Sequence, residues 1–259
     1  ILVVVADPIT GATEEAGWLA VHVNANDVAV HAAYPKWFIT TLLFPPETGE
    51  KDIELVMDGV IRALNEVGAT LIGGHTEITD RVNDVLISGV MIGEPMVEGK
   101  FITSGGAKEG DAIIVTKGAG IEGTYILANE FREKIAGYLK ESVIDEAIRF
   151  KKMISVLPDV KYSINSIGLS NIHAMHDVTE GGLIGGLYEM AYASNLGFEV
   201  YEEKIPILKP TKEICEVLEL DPLKLIGSGA ILIAVENSMA ETLIRSLRER
   251  NINASIIGK

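Results

Sequence analysis

Several short runs of this 259-residue chain hold residue types able to do chemistry. In Ala6-Asp7-Pro8-Ile9-Thr10-Gly11 a carboxylate ends an apolar run ahead of a Pro/Gly turn, the position where ligands of α/β sheets usually sit. The plainer alternative is an Asp that accepts backbone hydrogen bonds from its own turn. In His22-Val23-Asn24-Ala25-Asn26-Asp27-Val28-Ala29-Val30-His31, helical spacing of about 100° per residue puts Asn24, Asp27 and His31 within roughly 60° of one another. A helix otherwise apolar all round has little reason to bury an Asp unless it is paired or holds a cation. Carboxylate and amide oxygens suit Mg²⁺ better than Zn²⁺. A buried hydrogen-bond network is the competing reading.

Two further runs follow. Leu71-Ile72-Gly73-Gly74-His75-Thr76-Glu77 presents three polar side chains after a strand and a paired-glycine turn. The glycines let the backbone approach a ligand, and His75 and Glu77 could ligate a metal or handle protons. His176-Asp177-Val178-Thr179-Glu180-Gly181-Gly182-Leu183 opens a helix with Thr179 as a candidate N-cap. Free N–H groups there would suit an anion, although Asp177 and Glu180 would require a bridging cation. Otherwise the two acids simply complement the helix dipole. Lys117-Gly118-Ala119-Gly120-Ile121-Glu122-Gly123-Thr124 departs from both the dinucleotide and the P-loop patterns, leaving only a loop that could touch a ligand through its backbone. Cys215, the sole cysteine, reads as a small buried hydrophobe.

The elements that must position these residues alternate between strand-like runs and helical periodicities. Strands are expected at Val3–Ala6, Lys36–Phe44, Ala69–Ile72 and Val85–Ile92, with helices over Glu14–Ala33 and Asp52–Val67. A break at Gly93-Glu94-Pro95 precedes a second set. Its strands are Ala112–Thr116, Ile172–Met175, Phe198–Tyr201, Ala230–Val235 and Ala254–Ile257. Its helices are Gly123–Leu139, Ser142–Ser155, Gly182–Asn195, Pro210–Leu220 and Met239–Arg250. The expected domains are therefore 1–100 and 101–259.

Composition narrows the function classes. With 37 acids against 22 Lys plus Arg, the formal charge of −15 argues against nucleic acid and anionic membrane as partners. One cysteine excludes a disulfide framework or a Cys-rich zinc site, and a reducing, cytoplasmic setting follows as the default. The opening Ile1-Leu2-Val3 reads neither as a signal peptide nor as a complete N-terminus.

Taken in order, Asp7–Gly11, Val23–Ala29 and Gly73–Glu77, followed by His176–Leu183, Leu220–Leu225 and Gly227–Ala230, resemble the aminoimidazole ribonucleotide synthetase (PurM-like) superfamily. That superfamily also includes selenophosphate synthetase, thiamine monophosphate kinase and the hydrogenase-maturation protein HypE. The Leu-Asp-Pro-Leu segment and the Asn-Asp-Val-Ala helix look most like the hydrogenase-maturation branch.

The resemblance implies a mixed α/β (α+β) protein of two domains: an N-terminal ATP- and metal-binding domain and a C-terminal α/β sandwich. The N-terminal sheets of two copies would join in a barrel-like homodimer core. It implies Mg²⁺ or another divalent cation with ATP, and phosphoryl transfer to an oxygen of a small-molecule or carbamoyl-type acceptor. The rival functions are a metal-dependent phosphatase and a nucleotide-binding maturation factor without catalysis. On this reading Asp7 and Asp27 are metal ligands, joined by His75 or Glu77, since the branch commonly has Asp where this chain has His75. His75, Glu77 and Asp177 are the candidate catalytic groups. Asn24, Gly73, Gly74, Thr76, Thr179, Glu180 and Gly181 are the candidate nucleotide contacts. The branch also ends in a reactive Cys, whereas this sequence ends Ile257-Gly258-Lys259.

Overall fold

The computed structural model describes residues 1–10 and 15–259; the expected Gly11 turn and the Glu14 helix start lie outside the described residues. The chain divides into two compact units, Ile1–Phe101 and Ile102–Lys259, each mixing helices with one sheet.

In the first unit, apolar residues at alternate positions build strands β1 (Val3–Ile9), β2 (Ala33–Phe44), β3 (Thr70–Ile78) and β4 (Leu86–Pro95). They pair in the order β1-β4-β2-β3. β4 runs antiparallel to β1 and β2, whereas β3 runs parallel to β2. A parallel neighbour needs a crossover, which helix α2 (Glu50–Val67) supplies before Gly68 ends it in the left-handed conformation. Helix α1 (Ala16–Val30) and α2 cover one face of the sheet. Leu42, Phe44 and Ile87 of that face pack with Ala16 and Ala20 of α1 and Val56 of α2.

Three expected boundaries move, each for a local reason. β1 runs through Asp7-Pro8 to Ile9, so Asp7 lies within a strand rather than at its end. Pro8 is tolerated because β1 is an edge strand, where a missing N–H leaves no neighbour unpaired. β3 continues through Gly73-Gly74, which is therefore not a turn. A Cβ on Gly74 would come 2.3 Å from the Thr40 carbonyl oxygen of β2, so glycine permits the close strand there. β4 likewise extends through Gly93-Glu94-Pro95.

The second unit pairs its strands in the order β6-β7-β5-β8, antiparallel throughout. They are β5 (Ala112–Thr116), β6 (Ile172–Asp177), β7 (Ile231–Val235) and β8 (Ala254–Gly258). Between β5 and β6 come α3 (Ile121–Glu130), α4 (Arg132–Ile135), α5 (Glu141–Ile148), a 3₁₀ turn over Arg149–Met153, and α6 (Leu157–Ile167). The single helix expected over Gly123–Leu139 is thus split into two, and α6 is a helix beyond the expected set. Helices α7 (Gly182–Ser194) and α8 (Lys209–Leu218) precede β7, and α9 (Ala240–Glu249) precedes β8. Leu183, Leu187 and Met190 of α7 pack on Ile113 and Val115 of β5 and Leu232 and Ala234 of β7. The strand expected over Phe198–Tyr201 reduces to one bridge, Val200 to Gly258. Among the described residues no helix is long and apolar enough to cross a membrane.

Candidate functional site

The first unit places its polar residues by strand parity. Across the sheet Asp7, Gly89, Thr40 and Gly74 share one register line, and buried Thr40 identifies this as the helix-covered side. Asp7 therefore turns toward α1. There the buried Asn24 carboxamide takes both main-chain groups of Asp7. Its Oδ1 accepts from the Asp7 N–H at 3.0 Å, and its Nδ2 donates to the Asp7 carbonyl at 3.1 Å. The second Nδ2 proton goes to the Ala20 carbonyl one turn back, at 2.8 Å. A Cβ on Gly89 would lie 2.6 Å from Asn24 Nδ2, so only glycine lets the helix descend this far. Asn24, expected as a nucleotide contact, is thus fully engaged as the pin between α1 and β1.

Asp27 follows Asn24 by three residues on the same helix. It is the one residue of Ala16–Val30 that keeps part of its surface open. Its carbonyl lies 2.7 Å from His31 Nδ1, and the helix ends at His31 ahead of left-handed Ala32. Asp27 thus lies one turn beyond the residue by which α1 meets Asp7 of β1.

His75 and Glu77 lie elsewhere. They pair in register with Thr41 and Leu43, one residue off the Thr40 and Leu42 parity, and so stand on the face opposite the helices. Both are exposed, and His75 Nε2 meets Glu77 Oε2 at 3.2 Å. Thr76 sits between them on the helix-side parity. The sheet itself separates this pair from Asp7, and among the described residues no three His, Cys, Asp or Glu side chains gather as a metal cluster. The expected joining of His75 or Glu77 to Asp7 and Asp27 within one chain is therefore not what the strand register produces.

A further cluster of the first unit joins Trp18 and His22 of α1 to Glu66 of α2. Trp18 Nε1 donates to Glu66 Oε2 at 2.9 Å, and His22 Nε2 meets the same oxygen at 2.9 Å. The Trp18 and His22 rings lie 4.0 Å apart. Their i, i+4 spacing was the available signal; their partner, 44 residues beyond His22, was not. Burial raises the Glu66 carboxyl, but the hydrogen bonds from His22 and Trp18 and the charges of His22 and Arg62 outweigh it, and the result lies below the ordinary glutamate value.

In the second unit Asp177 closes β6 and is buried. The chain then turns through Val178, whose N–H donates to the Ala230 carbonyl at 3.1 Å. Thr179 does not cap α7. Gly181, at φ 79°, is the N-cap, and the Thr179 carbonyl accepts from the Gly182 and Gly227 N–H groups. Gly182 is left-handed as well, and a Cβ there would lie 2.5 Å from the Leu223 carbonyl oxygen. The Ile184 N–H donates to that same carbonyl at 3.2 Å, so the helix N-terminus is largely satisfied from within. Glu180 is exposed at the turn. The Lys117–Gly120 loop is similarly occupied, with the Lys117, Gly118 and Ala119 N–H groups donating to the Asn253, Thr116 and Pro206 carbonyls.

Comparison with known proteins covers almost the whole chain. Residues 3–94 match the family described as AIR synthase related protein, N-terminal domain, and residues 108–259 match its C-terminal domain. A hydrogenase expression/formation protein of Methanocaldococcus jannaschii is 34% identical over 93% of this chain and 69% of its own length. The carbamoyl dehydratase HypE of Rhizobium leguminosarum bv. viciae is 27% identical over 92% of this chain and 65% of its own. The chain thus spans about two thirds of the length of these relatives. The crystal structure of the hydrogenase maturation protein HypE in complex with ATP superposes with a TM-score of 0.83 at 26% identity, over all of this chain and 76% of that one.

Proposed function

The chain belongs to the AIR synthase related family, and from that premise we propose that it is an ATP-dependent enzyme transferring a phosphoryl group to an oxygen of a small or carbamoyl-type acceptor. The observation that carries this reading is the α1–β1 seam. There Asn24 fixes the Asp7 main chain one helical turn from Asp27, the only part-open residue of that helix. Relatives named carbamoyl dehydratase and a similar fold solved with ATP support the nucleotide and the acceptor class.

The donor set fits Mg²⁺: two hard carboxylates from rigid elements, with phosphate oxygens and water to complete six ligands. When bound there, the ion would neutralise the charge that builds on the transferring phosphoryl group, which a protein of net charge −15 has every need of. Asp7 and Asp27 would hold the cation, and Asn24 holds the Asp7 main chain. In the transfer itself an acceptor oxygen attacks the γ-phosphorus, the bond to the bridging oxygen breaks, and ADP leaves. For a carbamoyl-type acceptor the phosphorylated oxygen can then depart as phosphate.

Gly73, Gly74 and Thr76 bring the β3 backbone to the nucleotide. In the second unit Thr179, Glu180 and Gly181 are the candidate nucleotide contacts, and Asp177 is a candidate catalytic group. His75 and Glu77 stand on the open sheet face, which carries exposed Val4 and Ile39, with exposed Ile72 and Ile78 on β3. That surface suits the corresponding face of a second copy, making the protein a homodimer with the His75–Glu77 pairs at the shared surface. Lone, buried Cys215 suits a cytoplasmic setting.

The test is Mg²⁺-dependent ADP release by the full-length protein. Asp7→Asn with Asp27→Asn should lower it at least 100-fold, and unchanged turnover would overturn the assignment. ATP bound by the wild type without ADP release, across candidate acceptors, would identify a nucleotide-binding factor instead.

A further inference from the structure

Lys117 follows β5 with its backbone in the left-handed region, at φ 58°, and is only 8% exposed. Its ammonium donates to three main-chain carbonyls: Met153 at 2.8 Å, Ser155 at 2.9 Å and Gly229 at 2.8 Å. A fourth oxygen, Oδ2 of the buried Asp159, lies 3.0 Å away. Burial pushes the Asp159 carboxyl above the usual carboxylate range, and the Lys117 ammonium pulls against it.

These oxygens come from two separate stretches of the second unit: residues 153–159, which lead from the 3₁₀ turn into the first turn of α6, and the segment before β7. Carbonyl dipoles converging on one point repel each other unless a cation sits between them. Burying an ammonium is itself costly, and a left-handed lysine adds backbone strain. What offsets both is an oxygen shell of the kind that replaces the hydration of a monovalent cation.

We infer that Lys117 stands in for a bound monovalent cation, and that the three carbonyls and Asp159 form a potassium- or ammonium-type site which the side chain fills from within. Oxygens at hydrogen-bonding distance from a nitrogen suit potassium and ammonium; sodium and lithium, being smaller, would need the shell to contract. The shell also reaches the β6–α7 turn, since Gly229 is two residues from Gly227, whose N–H holds the Thr179 carbonyl. Lys117 is on this view a positioning residue. The inference does not depend on ATP being the substrate.

Lys117→Gly relieves the left-handed strain and empties the shell. Thermal unfolding of the full chain is compared in potassium, ammonium, sodium, lithium and choline chloride at equal ionic strength. Wild type should melt at one temperature in all five salts. Lys117→Gly should melt lower in choline and lithium and recover by several degrees, saturably, in potassium and ammonium. Lys117→Met, which fills the space without a charge, should respond to none of them. An equal response of Lys117→Gly to every salt overturns the inference. Thallous ion, a heavy-atom substitute for potassium, should give a scattering peak at the vacated Nζ position in crystals of Lys117→Gly. Should neither variant fold, wild-type protein decides: Lys117 must resist reductive methylation while exposed Lys212 reacts, and equal rates refute the enclosed cation.

Discussion

The two units build sheets of the same size and use them differently. In the second, β5 and β7 bury every residue, so any polar group reaching that interior needs partners within it; Lys117 has four oxygens around it. In the first, β3 exposes all nine of its residues and β1 alternates between half-buried and exposed. β1 and β3 are the edge strands of their sheet and can stay open to solvent, whereas a sheet covered on both sides does not tolerate a lone charge. The lesson is that exposed His75 and Glu77 of the first unit stand toward solvent, while Lys117 of the second holds its loops together.

That contrast can be broken by substitution. Asp159→Ala leaves the Lys117 ammonium buried without its counter-charge and should cost about 3–5 kcal/mol in denaturant unfolding. His75→Ala, on the open face, should change stability by less than about 0.5 kcal/mol. Comparable losses from the two would erase the distinction. Asn24→Ala comes next, because it leaves the Asp7 N–H and carbonyl without their partner; a loss of about 1–3 kcal/mol is expected by the same measurement.

Smaller effects sharpen the comparison. Glu66 titrates below its ordinary value in the folded chain, so its contribution is present above the unfolded glutamate pKa and is lost as pH falls through the lowered one. Glu66→Gln should therefore flatten the acid side of the stability–pH curve, and an unaltered curve would refute the shared Trp18–His22–Glu66 contact. The smallest effect concerns Cys215. Burial, helped by the charge of Asp221, pushes its thiol up to about 11, so alkylation at pH 8 should be far slower than for a free cysteine. Cys215→Ala should leave turnover intact.

Legibility followed the range of the interactions. The amphipathic run at Met239–Arg250 and the strand at Ala112–Thr116 were readable because local spacing suffices, and α9 and β5 appear there. Helix α6 lies outside the helices that periodicity marks, and Pro158 falls just inside its start, a position where proline is favoured. Gly74 and Gly93 read as turn residues because the segments pressing on them, Thr40 of β2 and Val28 of α1, are distant in sequence. In the candidate site, Asp7 and Asp27 were visible as types, but Asn24 changed meaning once its three hydrogen bonds were seen.

By itself the amino-acid order settled the alternation of strands and helices and the family resemblance, but not that β3 continues through Gly73-Gly74 to His75 and Glu77. It could not settle which parity faces the helices. That depends on pairing between segments tens of residues apart, and β2 shifts its register at Pro35–Trp37 toward β4 and at Phe38–Ile39 toward β3. One residue of slip moves every later side chain to the other face, so only the assembled sheet decides that Asp7 meets α1 while His75 meets solvent. The surroundings of Lys117 were hidden for the same reason, its three carbonyl acceptors lying 36, 38 and 112 residues away.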